Sequence, residues 1–132
     1  LSGTASNDEV GSHSVVLTVS DGTESLQQSF TITVANTNDA PVITSTAVTT
    51  ANEDEVYSYT FSATDVDSSD TLTLSAPTLP TWLSFDANSG ILSGSASNDE
   101  VGSHSVVLAV TDGTETLQQS FTIAVANTND AP

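Results

Sequence analysis

The chain contains no lysine and no arginine, so it carries no fixed positive side chain at neutral pH. Its 17 carboxylates set a formal charge of -17 over 132 residues. Nothing present can neutralise a phosphate backbone, which excludes the usual nucleic-acid chemistry. Attraction to an anionic membrane surface is disfavoured for the same reason. Cysteine is absent, which removes disulfides and thiol chemistry. No apolar run has membrane-spanning length, so no membrane insertion is expected of this segment. No stretch reads as a signal peptide, but the chain starts inside a repeat, so the parent protein is not described by that. Sustained helical periodicity is missing too. A field of one sign repels itself and is relieved by salt or bound cations.

What is present is repetition. Residues 1–41 reappear as residues 92–132 at an offset of 91, and only five positions differ: Thr4/Ser95, Thr18/Ala109, Ser20/Thr111, Ser25/Thr116 and Thr33/Ala124. Every exchange is small for small. Near-identity at a fixed period marks a tandem array. Each copy ends on Asn-Thr-Asn-Asp-Ala-Pro, at 36–41 and 127–132, which reads as the joint between repeats. The expected organisation is a complete repeat over 42–132, preceded in 1–41 by the C-terminal part of another. A unit of about 90 residues can hold a modest two-layer core.

Alternation of period two runs through the complete repeat. Tyr57, Tyr59, Phe61 and Ala63 share one face, as do His104, Val106, Leu108 and Val110. Leu117, Gln119, Phe121, Ile123 and Val125 form a third such row. Weaker strands fit Val42–Val48, Thr71–Ser75, Trp82–Phe85 and Ile91–Ser95. Asp112-Gly113, like Asp21-Gly22, sits between the two longest runs and predicts a hairpin. Pro77 and Pro80 bracket a stretch that cannot be a central strand. These spacings predict an all-β, seven-stranded antiparallel Greek-key β-sandwich of immunoglobulin type. Residues 1–41 then hold only its last strands. Their apolar residues, Val15, Val16, Leu17, Phe30, Ile32 and Val34, lack a partner sheet, which another chain or a neighbouring copy could supply.

The acids have a pattern of their own. Asp65 and Asp67 at i, i+2 on an extended segment point the same way. Two carboxylates on one side repel unless a cation lies between them. Asn-x-Asn-Asp ahead of a proline adds neutral oxygens and a stiff exit. Calcium takes six to eight such hard oxygens. The competing reading is that Asp and Asn crowd loops because they make turns. Asp65–Asp70 begins like an EF-hand loop but has Asp70 where glycine is required and Ala76 where the bidentate glutamate belongs.

Three stretches together resemble the cadherin-like domains, in particular the dystroglycan-type, He_PIG-type repeats of bacterial surface and secreted proteins. They are Leu79-Pro80-Thr81-Trp82-Leu83-Ser84-Phe85-Asp86 followed by Ser89-Gly90-Ile91-Leu92-Ser93-Gly94, then Asp99–Val106 running into Val110-Thr111-Asp112-Gly113, and the Asn-Asp-Ala-Pro joint. The resemblance implies an extracellular or cell-surface location and Ca2+ bound where consecutive domains meet. At the first joint it implies the ligands Asn36, Asn38 and Asp39 from the joint, Asp65, Asp67 and Asp112 from the following domain, and Asp8 (or Glu9) from the preceding one. At the second it implies Asp99 with Asn127, Asn129 and Asp130, together with Glu53 or Asp54. The first of the two joints is the one expected to hold calcium.

No enzyme is expected. His13 and His104 occupy one repeat position on the inward face, where packing outweighs a triad built with Ser103 or Ser105 and Asp99. Trp82, the only tryptophan, sits in an alternating segment and reads as a packing residue. No acid is singled out for glycoside chemistry. The expected function is a calcium-stiffened repeat of an adhesin or surface protein. Its partners would be calcium ions, neighbouring repeats or other copies of the chain, and glycans or cell-surface proteins. The alternatives are a carbohydrate-binding accessory module and a filament subunit assembled by strand or half-domain exchange.

Overall fold

The computed structural model describes residues 1–131; Pro132, which closes the second joint, lies outside the described residues. Leu1–Asn38 forms one compact unit and the chain from Asp39 a second. Among the described residues no helix is long and apolar enough to cross a membrane.

The first unit is a hairpin. A single 3-10 turn, Asn7–Glu9, leads into β1 (Gly11–Ser20) and β2 (Ser25–Val34), which pair antiparallel from Gly11↔Val34 to Ser20↔Ser25. The connection is four residues, Asp21–Glu24, rather than a two-residue turn. The Asp21 carboxylate determines this, because its Oδ1 accepts hydrogen bonds from the Thr23 and Glu24 amides at 2.9 Å each. Those bonds hold the Asp21 carboxyl below its ordinary range.

The second unit is an all-β sandwich. Its strands are β3 (Val42–Ile43), β4 (Thr50–Asn52), β5 (Val56–Thr60), β6 (Ala63–Thr64), β7 (Thr73–Thr78), β8 (Leu83–Asp86), β9 (Ile91–Ser95), β10 (Gly102–Thr111) and β11 (Thr116–Ala126). One sheet has the order β4-β11-β10-β7 and the other β5-β9-β8, with β3 paired to β6 beside them. β3/β4 and β5/β6 are each one split strand, so the sandwich has the expected seven. All ladders are antiparallel except β4 on β11, which is parallel.

Two departures from the sequence reading have plain causes. Val42–Val48 is not one strand, because this first strand leaves one layer after Ile43 and joins the other at Thr50. β7 runs through Pro77, but it is the edge strand of its sheet, and its register on β10 is irregular between Val107 and Ala109. A proline is tolerated at such a place because no ladder bond is lost.

The core lies between the sheets. Tyr57, Tyr59, Leu83 and Leu92 come from one layer, and Val106, Leu108, Val110, Ile123 and Val125 from the other; all are buried. Each fully buried Val, Leu or Ile contributes about 1.5–3 kcal/mol. Gln119, on the inward face of β11, is accommodated because its Oε1 accepts from the Tyr59 hydroxyl at 2.8 Å and its Nε2 donates to the Ser45 carbonyl at 3.2 Å. Burial, with the Tyr59 charge second, pushes the Tyr57 hydroxyl up to about 12. That hydroxyl donates to the Val48 carbonyl at 2.7 Å.

At Gly94 the Trp82 backbone, just ahead of β8, crowds β9. A Cβ there would overlap the Trp82 carbonyl, whereas a Cβ at Gly3, the same position of the repeat, meets nothing. Backbone cannot yield as a side-chain tip can. Gly94→Ala is therefore expected to destabilise the sandwich by about 3 kcal/mol or more, and Gly3→Ala by less than about 0.5. Urea unfolding of the two variants, followed by Trp82 fluorescence, measures the contrast.

Candidate metal centre

The segment after β6 is a turn, not the extended run that the i, i+2 spacing suggests. Asp65 Oδ1 accepts from the Asp67 amide at 2.8 Å, and the Asp70 amide donates to the Asp67 carbonyl at 3.0 Å. Curling in this way brings Asp65, Asp67 and Asp70 together, with one oxygen of each within 4.8 Å of the others. Asp67 is buried at 3% exposure; Asp65 and Asp70 are half-buried. One oxygen of Asp67, Oδ2, accepts from the Asp39 amide at 2.7 Å. The other, Oδ1, is buried with no hydrogen-bond partner, and so are Asp65 Oδ2 and Asp70 Oδ2.

Three unpartnered carboxylate oxygens side by side are unfavourable, because burying an unpaired anion carries a penalty of several kcal/mol. The chain has no Lys or Arg to pair them. Burial raises the Asp70 carboxyl above its ordinary range, and the charges of Asp67, Asp65 and Asp112 raise it further. Asp112, at the end of β10, is buried, and its Oδ1 accepts from the Thr114 and Glu115 amides at 2.7 and 2.6 Å. Its charge thus belongs to the same electrostatic neighbourhood. The folded state holds the Asp70 proton more tightly than the unfolded state. In chelator the contribution of Asp70 to stability should therefore fall as pH rises from its ordinary value through its raised one. A carboxyl-carbon NMR titration of Asp70 beside thermal melts checks this sign.

A second cluster joins Glu53, Asp54 and Asp130, again with oxygens within 4.8 Å of one another. Glu53 follows β4 and is fully buried. Its backbone amide donates to the Ala126 carbonyl at 3.0 Å, and Asp54 N–H to the Ala96 carbonyl at 2.8 Å. Asp54 takes φ 63, in the left-handed region where a non-glycine residue is strained. Glu53 Oε1 accepts from the Thr128 amide at 2.8 Å and the Thr128 hydroxyl at 3.2 Å. Glu53 Oε2 is buried without a partner. The carboxylate thereby ties the Asn127–Ala131 segment to the body of the domain and retains one free oxygen.

The other expected ligands are placed as follows. Asp8 and Asp99 sit exposed in the matching 3-10 turns Asn7–Glu9 and Asn98–Glu100, and Asp99 joins neither cluster. In these turns Glu9 and Glu100 make the capping interaction, with Ser6 and Ser97, and those bonds lower both glutamates. Asn36 and Asn38 are exposed after β2; Asn127 and Asn129 are exposed after β11. Asp39 contributes its backbone amide to Asp67. Asp70 was not among the expected ligands, although the run Asp-x-Asp-x-x-Asp carries the signal for a turn that converges all three.

His104 and Trp82 belong to packing. Their rings meet edge to face with centroids 5.6 Å apart, and Trp82 meets Tyr57 likewise at 6.1 Å. The His104 Nε2 bonds to the Glu100 carbonyl. Trp82 is half-buried.

A family described as "Putative Ig domain" (He_PIG) matches residues 40–126. The chain belongs to the He_PIG family. The strand layout of this He_PIG chain is that of cadherin domains among solved structures. It is similar to protocadherin gamma B7 extracellular domains 1–4 at TM-score 0.66 and 22% identity, over 94% of this chain and 34% of that one. It is similar to domains 1–2 of human protocadherin-24 at TM-score 0.63 and 19% identity, over 97% and 70%. It is also similar to an endo-fucoidan hydrolase of glycoside hydrolase family 107, MfFcnA4, at TM-score 0.58 and 26% identity. That match covers 96% of the He_PIG chain but only 20% of the hydrolase, so the chain spans about a fifth of the enzyme's length. No curated protein matches the sequence.

Proposed function

We propose that this He_PIG chain is a calcium-binding repeat of an extracellular adhesin or surface protein, and that calcium stiffens the array at its joints. The observation that carries this reading is the set of buried, unpartnered carboxylate oxygens on Asp65, Asp67, Asp70 and Glu53 in a chain without a single Lys or Arg. Their chemistry fits a hard divalent cation and no softer metal, since all donors are oxygens and no Cys is present. In the first centre Asp65, Asp67 and Asp70 would hold the ion, with Asp112 close by. Asp8, Asn36, Asn38 and Asp39 are the joint residues proposed to complete it. In the second, Glu53, Asp54 and Asp130 would hold it, and Asp99, Asn127 and Asn129 are proposed to add oxygens. Calcium supplies the positive charge that the chain lacks; the side chains fix where the joint segments sit. Residues 1–41 are proposed as the end of a preceding repeat and 42–132 as a complete one. Calcium titration calorimetry on the chain tests the reading: saturable binding whose first-centre affinity falls about tenfold or more in Asp67→Asn supports it, and no binding heat at millimolar calcium defeats it.

A second reading, an accessory module of a polysaccharide-degrading enzyme, is favoured by the likeness to the fucoidan hydrolase. Trp82 gives it no exposed aromatic platform, because its ring is packed on Tyr57 and His104. Retention of the chain on insoluble fucoidan would support this reading.

A further inference from the structure

Two buried acids of the second unit, Asp67 and Glu53, are built alike. Each is almost fully enclosed, at 3% and 0% exposure. Each gives one oxygen to a backbone amide of a joint. Asp67 Oδ2 accepts from the Asp39 N–H at 2.7 Å, and Glu53 Oε1 accepts from the Thr128 N–H at 2.8 Å. Each keeps its other oxygen buried and without a hydrogen bond. Both bonds lie inside the unit that starts at Asp39. They connect residues 28 and 75 positions apart, so neither is a local turn bond of the kind Asp112 makes with Thr114.

Composition explains the arrangement. A buried carboxylate needs donors, and a chain without Lys or Arg has little beyond amides and hydroxyls to offer. An N–H bond to an ionised carboxylate is among the stronger hydrogen bonds a protein makes. Glu53 Oε1 also accepts from the Thr128 hydroxyl, at 3.2 Å. The two anchored amides come from one motif. Asp39 is the fourth residue of the joint at 36–41, and Thr128 is the second residue of the joint at 127–132. Asn-Thr-Asn-Asp-Ala-Pro is therefore held at its fourth residue where it enters the sandwich and at its second where it leaves.

We infer that the joint is a strap anchored by carboxylates at two points, and that both anchors hold without metal. Its threonine amide is held by the Glu53 of the domain it leaves, and its aspartate amide by the Asp67 of the domain it enters. In a tandem array one joint carries both anchors, two residues apart. Two charge-assisted bonds on so short a stretch fix its path. A cation would then meet a joint already in place instead of gathering a loose one. This inference stands apart from the calcium reading, because the anchors are read out in chelator.

The repeat supplies sequence-matched controls for the test. Thr37 and Thr128 have the same neighbours on both sides, as do Asp39 and Asp130, and Thr37 and Asp130 are exposed. Amide exchange is followed by NMR on the full chain in chelator. Thr128 should exchange about tenfold or more slowly than Thr37, and Asp39 likewise against Asp130. Glu53→Ala should bring Thr128 to the rate of Thr37 and leave Asp39 slow; Asp67→Ala should do the reverse. Glu53→Gln and Asp67→Asn, whose side-chain carbonyl still accepts, should keep most of the protection. Equal rates within the pairs overturn the inference. So does protection that arises only when calcium is added, an outcome that would leave the calcium reading intact and make the ion the organiser of the joint. Protection that survives the alanine variants in a folded chain overturns it too. If those variants do not fold, scalar coupling across the hydrogen bond decides in the parent chain. Coupling from the Thr128 nitrogen to the Glu53 carboxyl carbon supports the anchor; its absence, where the bonds between β10 and β11 give coupling, overturns it. With residues 42–132 appended after Pro132, the Asp130 amide should slow about tenfold or more, to the rate of Asp39. An Asp130 amide that stays fast there overturns the double anchor.

Discussion

Saturating calcium is expected to raise the melting temperature of the sandwich by roughly 10–20 °C for each centre filled, with full reversal by excess chelator. The size follows from linkage. A ligand at about 100 times its Kd that binds only the folded state adds about 2.7 kcal/mol per site. For a domain of this length each kcal/mol moves the midpoint by about 4–8 °C. The effect is large here because the metal-free fold holds buried carboxylate oxygens on Asp65, Asp67 and Glu53 with no partner of any kind. A cation removes that penalty as well as adding bonds. Monovalent salt should give only part of the rise, since it screens exposed charges and reaches buried ones poorly. Differential scanning calorimetry in calcium, in magnesium and in chelator measures this. Equal midpoints in all three would end the calcium mechanism.

Asp67→Asn is expected to change sign with conditions. In chelator the variant should be more stable than the parent chain, by about 1 kcal/mol, because a neutral amide replaces a buried, unpartnered anion. Its carbonyl oxygen can still accept from the Asp39 amide, so the local turn survives. In calcium the order should reverse, with affinity of the first centre falling about tenfold or more as one ligand charge is lost. Glu53→Gln should behave the same way at the second centre, since Thr128 can still donate to the remaining oxygen. A crossover is diagnostic. A carboxylate that only shapes a turn would lower stability in both buffers when replaced, and a merely exposed acid would change neither. Thermal melts of parent and variants in the two buffers, with calcium calorimetry alongside, provide the readout.

Much of this protein is legible in its sequence, and the physical reason is periodicity. A strand buried on one face must alternate, so Tyr57, Tyr59 and Phe61, and Val106, Leu108 and Val110, announce both their strands and their inward side. The strand at Ile91–Ser95 is found where the alternation places it. The less regular strands depend on partners distant in sequence. Val42–Val48 alternates acceptably, yet most of it is unpaired, because which sheet a strand joins is decided by partners far along the chain. Pro77 reads as a strand breaker, and only the position of β7 at a sheet edge makes it harmless.

The acidic centres divide in the same way. The sequence by itself determined that the chain is a tandem β repeat with no Lys or Arg. Local spacing also marked Asp65 and Asp67, and the resemblance marked Asp8, Asp39, Asp99, Asp112, Asp130 and Glu53, because motifs and spacing are carried by the chain alone. Only the tertiary structure decided which oxygens converge. Asp70 joined Asp65 and Asp67 through a turn, Asp54 joined Glu53 and Asp130, and Asp99 joined neither group. Only the fold, likewise, could give one sequence two fates. Ile123 is buried and its twin Ile32 is not, although their neighbours in sequence are nearly the same. Burial is a property of what covers a residue, and the cover comes from elsewhere in the chain.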